Sequence, residues 1–203
     1  MARPRQITDE QILQTMRSSV LQHGPAVSLD VVAEQLNVTS PALIKRFGTR
    51  RALMIAALKP PDDSAWLKSL AKSPDDRSLQ LQLEEVIGGF CEEFSKAMPC
   101  MFALRESGIP MSEVFSSSEV PPPLRALRAM SKWLTQLSVR GLADGSAIET
   151  AATALIGAIT TRAFTAHLTQ TPWSMRGQRD YSKQLAQLFT RALAPDNRKS
   201  KQT

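Results

Sequence analysis

The residue types that most often carry nucleophilic or metal chemistry are sparse in this chain of 203 residues. Cysteine occurs at Cys91 and Cys100 and histidine at His23 and His167, and no group of them has the spacing of metal ligands. No Ser-His-Asp pattern, phosphate-binding glycine loop or paired-carboxylate motif is present. The acidic pairs at 84–85 and 92–93 are typical of solvated helix faces. The sequence therefore predicts no enzyme, no metal site and no cofactor.

Positive charge is concentrated at the start of the chain. Residues 1–60 carry eight Lys and Arg against four acids, whereas residues 61–195 carry fourteen of each. Residues 39–51 include Lys45, Arg46, Arg50 and Arg51 and no acid. A basic segment attached to a neutral body is typical of a protein that binds a polyanion.

The pattern of helix signals predicts which elements position these cations. Thr8 and Gln11 form a capping-box pattern before a first helix, which Gly24 ends. A second helix is predicted from Ser28 to the left-handed turn residue Asn37, and Thr39 caps a third helix through Phe47. A fourth helix begins at Thr49 and ends before Pro60. Two short helices joined by a three-residue turn also occur in ordinary helical bundles, but the unmixed basic side of the third favours a helix-turn-helix that binds DNA.

The run from Leu36 to Leu53 resembles the TetR family of bacterial transcriptional regulators. That family has a Gly-Val-Ser/Thr turn before its recognition helix, a Tyr-x-x-Phe pair, and a Ser/Asp-Lys-x-x-Leu start to the fourth helix. Here Asn37 replaces the glycine, and Ile44 replaces the tyrosine whose hydroxyl contacts a DNA phosphate. The resemblance covers about residues 8–58 and implies a regulator of transcription, most commonly a repressor.

Groove chemistry then predicts the residues that contact double-stranded DNA. Thr39 and Ser40 are expected to hydrogen-bond base edges, Pro41 and Ala42 to contact thymine methyl groups, and Lys45 to bind guanine or phosphate. Contacts to the DNA backbone are predicted at Ser28, Ile44, Arg46, Thr49 and Arg50, and contacts to phosphate or the minor groove at Arg3 and Arg5. Arg51 is expected to be either a solvated or an intramolecular charge.

The rest of the chain is predicted to be helical, which makes the fold all-α. Helices are expected at 76–98, 99–107, 121–140, 145–168 and 177–194, with a mobile loop at 109–120. A composition change at 60–64 predicts three parts: a helix-turn-helix domain at 1–60, a larger helical domain for effector binding and dimerisation at 61–195, and a disordered tail at 196–203. With neither a membrane span nor a secretory signal in the sequence, a cytoplasmic protein is expected.

The family resemblance also implies a homodimer formed by the last two helices and a pocket for a small apolar inducer. The expected dimer interface is formed by Ala154, Leu155, Ala158, Ile159, Arg162, Tyr181, Leu185, Leu188 and Phe189. The expected ligand pocket is lined by Phe90, Cys91, Phe94, Met98, Met101, Phe102, Met130, Trp133, Leu137 and Phe164. Two alternatives stay open: these pocket residues are plain core, or the protein answers to a protein partner instead of a small molecule.

Overall fold

A computed structural model describes residues 7–61, 64–171 and 174–195 of the chain. These residues form ten helices and no strand, which confirms the all-α prediction. The helices are α1 Asp9–His23, α2 Leu29–Gln35, α3 Ser40–Phe47, α4 Arg50–Leu58, α5 Ala65–Ala71, α6 Leu79–Glu106, α7 Met111–Val114, α8 Pro122–Val139, α9 Ile148–Leu168 and α10 Met175–Ala192. Within the described ranges, none of these helices combines the length and the apolar character needed to span a membrane.

The chain divides into two compact units, and the first contains α1 to α4. The capping box at Thr8 is present, and its hydroxyl accepts the N–H of Gln11 while the Gln11 side chain accepts the N–H of Thr8. Apolar side chains from all four helices, among them Met16, Val32 and Leu53, are buried in one core. This burial supplies the main stabilisation, because helices this short are marginal in isolation.

Residues 97–117 also belong to the first unit, whereas the sequence pattern placed them in the second domain. The expected mobile loop at 109–120 contains α7, and both Ile109 and Val114 are buried in the core of the first unit. The expected helices at 76–98 and 99–107 are one helix, α6, which continues through Pro99. Buried residues on both sides of the proline, including Cys91 and Cys100, offset the cost of about 3 kcal/mol for proline inside a helix.

The second unit contains residues 61–96 and the chain from 118 onward. Its core joins α5, α6, α8, α9 and α10, and the ring of Trp66 stacks on that of Phe90 with centroids 4.3 Å apart. The indole N–H of Trp66 donates to the carbonyl of Val86 at 2.9 Å. The short helix α5, which carries Trp66, was not predicted from the sequence. Ser64 caps α5 by accepting the N–H of Leu67.

Candidate nucleic-acid interface

The turn between α2 and α3 has the geometry that the sequence predicts. Asn37 adopts a φ of 52°, in the left-handed region, and the N–H of Val38 bonds the carbonyl of Ala33 at 3.0 Å. The small side chain of Ala33 is buried where the turn closes on α2. Thr39 then caps α3 by accepting the N–H of Ala42. Two short helices and a three-residue turn therefore form a helix-turn-helix.

Helix α3 divides into a buried side and an outward side. Leu43 is buried in the core of the first unit, while Thr39, Pro41, Ala42 and Lys45 are exposed. Ser40 and Ile44 are half-buried between these two sides. Lys45 has no ion-pair partner among the described residues, and α3 contains no acid. The outward side of α3 thus presents hydroxyl, apolar and cationic groups together. Groups of these kinds bind base edges, thymine methyl groups and phosphates.

Two arginines that the sequence assigned to DNA make contacts inside the chain. Arg46 pairs with the carboxylate of Asp9, and its guanidinium donates to the carbonyl of Ile7 at 2.7 Å. Arg50 donates to the carbonyls of Pro25 and Val27, at 2.6 and 2.9 Å. Each guanidinium holds its helix against the chain at or just after α1, and the DNA contacts of Arg46 and Arg50 stay predictions. Helical periodicity places a cation on the surface but does not show which distant carbonyl it meets.

Other polar groups near α4 are also engaged locally. The guanidinium of Arg51 donates to both carboxylate oxygens of Glu113 on α7, so that Arg51 is an intramolecular charge. These hydrogen bonds hold the pKa of Glu113 below its ordinary value. The hydroxyls of Ser28 and Thr49 accept the N–H groups of Val31 and Ala52 as helix caps. The predicted contacts Arg3 and Arg5 lie outside the described residues.

A contact that the sequence did not predict joins α2 to the start of α3. The hydroxyl of Ser40 donates to a carboxylate oxygen of Asp30, ten residues earlier in the chain. Asp30 is exposed and lies in the first turn of α2, where the helix dipole favours an acid. The N-cap signal at Ser28 places Asp30 in the first turn of a helix, where an acid is common. The partner of that acid depends on the angle between two helices, which periodicity does not give.

The structure does not bring the predicted ligand-pocket residues together. Met101 packs on the core of the first unit, whereas most of the set belongs to the core of the second. In the second unit, Phe90, Cys91, Met130, Trp133 and Leu137 are buried and Phe94 packs beside them. Met98 and Phe102 are half-buried on the part of α6 that belongs to the first unit, and Phe164 is exposed on α9. Burial raises the pKa of the Cys91 thiol.

An open groove of about 940 Å³ lies between α6 and α10 in the second unit. None of the residues of the apolar set predicted from the sequence lines it. The charged side chains along it are Glu84, Glu85, Glu92, Lys96, Arg179, Asp180 and Lys183. Lys96 pairs with Glu92 at 2.7 Å on α6. The groove therefore presents both signs of charge.

Comparison with solved structures places this arrangement among known folds. A Mesorhizobium loti protein described as a TetR-family transcriptional regulator aligns over 92% of this chain and 96% of its own, with a TM-score of 0.71 and 13% identity. The chain has the fold of TetR-family regulators. A TetR-like transcriptional regulator from Rhodococcus, at 20% identity, aligns over 92% of this chain and 97% of its own with a TM-score of 0.60.

A structure described as the complex of SmeT with triclosan shares the same fold. It aligns over 95% of this chain and 94% of its own, with a TM-score of 0.67 and 18% identity. No family model matches the sequence, and no curated protein matches it either. The similarity to TetR-family regulators is therefore detected in the three-dimensional fold, at low sequence identity.

In this TetR fold, the last two helices bury within their own chain part of the side that the sequence predicted for a dimer. Leu155 and Ile159 are fully buried in the core of their own chain, and Leu185 and Phe189 are buried beside them. These four predicted interface residues are corrected to core. Because α9 is apolar around most of its circumference, its sequence does not show which side faces inward.

Two further predicted interface residues contact each other within the chain. The guanidinium of Arg162 on α9 lies 4.0 Å from the ring centroid of Tyr181 on α10. The Tyr181 hydroxyl donates to the carbonyl of Ala158 at 3.1 Å. These two contacts stabilise the packing of α10 against α9. The predicted residues Ala154 and Leu188 are exposed, as are Phe164 and Leu168 on the outward side of α9.

Proposed function

We propose that this protein is a sequence-specific DNA-binding transcriptional regulator, and that α3 enters the major groove. The observation that carries the proposal is the outward side of α3, where Thr39, Pro41, Ala42 and Lys45 are exposed on a helix without acids. A helix of this kind, set at the second position of a helix-turn-helix, is the element that reads base edges in such proteins.

The proposed contacts divide into two chemical classes. Thr39 hydrogen-bonds a base edge, and Pro41 and Ala42 pack on thymine methyl groups. Lys45 binds a guanine or a phosphate, and Arg3 and Arg5 contact the minor groove or backbone. Ile44 provides an apolar contact beside them, without the phosphate hydroxyl of the family tyrosine. Arg46 and Arg50 are proposed as DNA-backbone contacts that also bond carbonyls of their own chain.

We further propose a homodimer that presents two copies of α3 to a near-palindromic operator. The interface in this proposal is the outward surface of α9 and α10, with Ala154, Phe164, Leu168 and Leu188. Leu168 and Leu188 are 61% and 60% exposed, and Phe164 is 44% exposed. Leaving three large apolar side chains in water on two adjacent helices is unfavourable, and covering them with the same surface of a second copy removes that cost.

A small-molecule effector is the proposed control of DNA binding, and repression is the proposed outcome. The groove between α6 and α10 supports an effector site in the second unit, and the structural neighbour SmeT is described in complex with triclosan. The charged side chains along the groove would orient an effector, and the remaining surface would contact its apolar part. An effector releases DNA only if it binds the DNA-free state more tightly than the DNA-bound state.

Selection of bound sequences from a random DNA pool by the full chain tests the central proposal. The expected result is a palindromic consensus with two half-sites, bound by two copies of the chain in a gel-shift titration. Enrichment of no sequence over the starting pool would refute sequence-specific binding. A non-repeated consensus bound by one copy would retain DNA recognition and refute the dimer.

A further inference from the structure

The contact between Ser40 and Asp30 restricts what the start of α3 can offer to DNA. Ser40 is the first residue of α3, and its hydroxyl donates to the carboxylate of Asp30. An ionised carboxylate only accepts hydrogen bonds, so that the proton in this contact belongs to serine. A serine hydroxyl carries one proton and two lone pairs. With its proton directed at Asp30, Ser40 has only lone pairs left for another partner.

Both members of this pair are accessible from solvent. Asp30 is exposed and Ser40 is half-buried on the same end of the helix-turn-helix. The carboxylate of Asp30 also has lone pairs beyond the one that Ser40 occupies. The Asp30–Ser40 pair, as we call these two side chains, therefore offers hydrogen-bond acceptors and no donor.

Base edges in the major groove differ in this property. Cytosine presents an amino group at N4 and adenine presents one at N6, whereas guanine and thymine present acceptors there. A free serine hydroxyl reads either kind of base because it can donate or accept. We propose, on the basis of the proposed DNA binding by α3, that the Asp30–Ser40 pair selects a base with an exocyclic amino group at one position of each half-site.

The charge of Asp30 supports a role in reading bases. A carboxylate close to DNA weakens the attraction of the basic first sixty residues for phosphates, which dominates non-specific affinity. Because it fixes the Ser40 proton, the same carboxylate favours binding when the Ser40 oxygen faces an amino group and opposes it when that oxygen faces O6 or O4. Asp30 thus lowers affinity for most sequences and keeps affinity for adenine or cytosine at its position.

Removal of single amino groups from the selected operator tests this inference. Each adenine of a half-site is replaced by purine, which lacks the N6 amino group, and each cytosine by 2-pyrimidinone, which lacks the N4 amino group. At one position the full wild-type chain is expected to lose affinity about five- to tenfold, the lower part of the range for specific base contacts. Ser40→Ala and Asp30→Ala are expected to lose little at that position, because the acceptor pair is already broken.

Two control variants separate hydrogen bonding from charge and from folding. Glu34→Gln removes one negative charge from the same helix as Asp30 and leaves Ser40 unchanged. Its affinity is expected to fall as far as that of wild type when the amino group is removed. Ser40→Thr keeps the hydroxyl, and its affinity is also expected to fall as far as that of wild type when the amino group is removed. If Asp30→Ala does not fold, the Ser40→Ala and Ser40→Thr comparison carries the test.

The outcomes distinguish this inference from the proposed function. A selected operator with no amino group whose removal affects wild type more than Ser40→Ala would overturn the inference and leave DNA recognition intact. Failure of the wild-type chain to select any sequence would overturn both. Loss at one position in wild type and Glu34→Gln, but not in Ser40→Ala, establishes the acceptor pair.

Discussion

The guanidinium of Arg46 on α3 pairs with the carboxylate of Asp9 in the first turn of α1. The same guanidinium donates to the carbonyl of Ile7, the residue just before the capping box. One side chain therefore links α3 to the start of α1 in two ways. Lys45, the other cation of α3, is exposed and has no ion-pair partner among the described residues.

Breaking the contact between Arg46 and Asp9 is expected to lower stability by a small amount. Arg46→Ala and Asp9→Ala should each reduce the free energy of unfolding by about 0.2–1 kcal/mol, because the pair is partly solvated. Urea denaturation of both single variants and the double variant measures the coupling between them. Additive effects in the double variant would contradict a direct interaction.

Lys45 is expected to contribute to DNA affinity without contributing to stability. Lys45→Ala should weaken operator binding and flatten the slope of log K against log salt by about 0.9, if one phosphate contact is lost. Gel-shift titrations at several salt concentrations measure the slope. Lys132→Ala, which removes an exposed charge from α8, is the matched control for net charge. Equal slopes for Lys45→Ala and wild type would refute a phosphate contact.

Arg50 is expected to act on the fold of the first unit. Its guanidinium bonds the carbonyls of Pro25 and Val27 in the segment between α1 and α2. Arg50→Ala should lower the free energy of unfolding by about 1.5–3 kcal/mol, the range for hydrogen bonds to charged groups. Arg50→Lys keeps the charge but lacks the fork geometry, and it should restore only part of the loss. Urea denaturation measures both variants, and full stability in Arg50→Ala would contradict this role.

A charge on the outward surface of α10 is expected to separate the proposed dimer into folded monomers. Leu188→Glu places a carboxylate where an apolar side chain is 60% exposed, so the subunit keeps its core while the interface is disrupted. Sedimentation velocity measures the association state, and circular dichroism checks the helix content. Val139→Glu is the matched control, because Val139 is 83% exposed at the end of α8. A dimer that persists in Leu188→Glu would place the interface elsewhere.

The pairing of Glu113 with Arg51 is expected to make part of the stability depend on pH. Hydrogen bonds from Arg51 lower the pKa of Glu113 from its ordinary value of 4.5. A lowered pKa means that this stabilisation is present above pH 4.5 and is lost as the pH falls through the folded-state value. Glu113→Gln should therefore be less stable than wild type at neutral pH and approach it in acid.

Urea denaturation across this pH range tests the expectation. Glu106→Gln, an exposed glutamate at the end of α6, is the control for removal of a carboxylate. A difference between Glu113→Gln and wild type that stays constant with pH would show that the ion pair does not contribute.

Local signals in the sequence were sufficient for the helix-turn-helix. The caps at Thr8, Thr39 and Thr49 depend on residues within three positions, and each is present. The left-handed turn at Asn37 follows from the tolerance of asparagine for positive φ. Each of these features is set by short-range chemistry, which a sequence displays directly.

Contacts between distant residues were beyond the reach of the sequence pattern. The partners of Arg46 and Arg50 lie 37 to 39 and 23 to 25 residues away and depend on how the helices cross. The inward side of α9 was ambiguous because apolar residues occur nearly all round it, so that Leu155 was assigned to an interface. Helix α7 was missed because four residues are too few to display a period.

The core of the first unit is completed by residues that follow α5, including Cys100, Leu104, Ile109 and Val114. Residue 60 is therefore not a place where the molecule can be divided, because the four leading helices rest on apolar groups supplied from 97–117. Exchange of residues 1–60 alone between two such proteins would pack α1 to α4 of one protein against residues 97–117 of the other. An exchange that keeps the first core intact therefore has to move residues 97–117 together with residues 1–60.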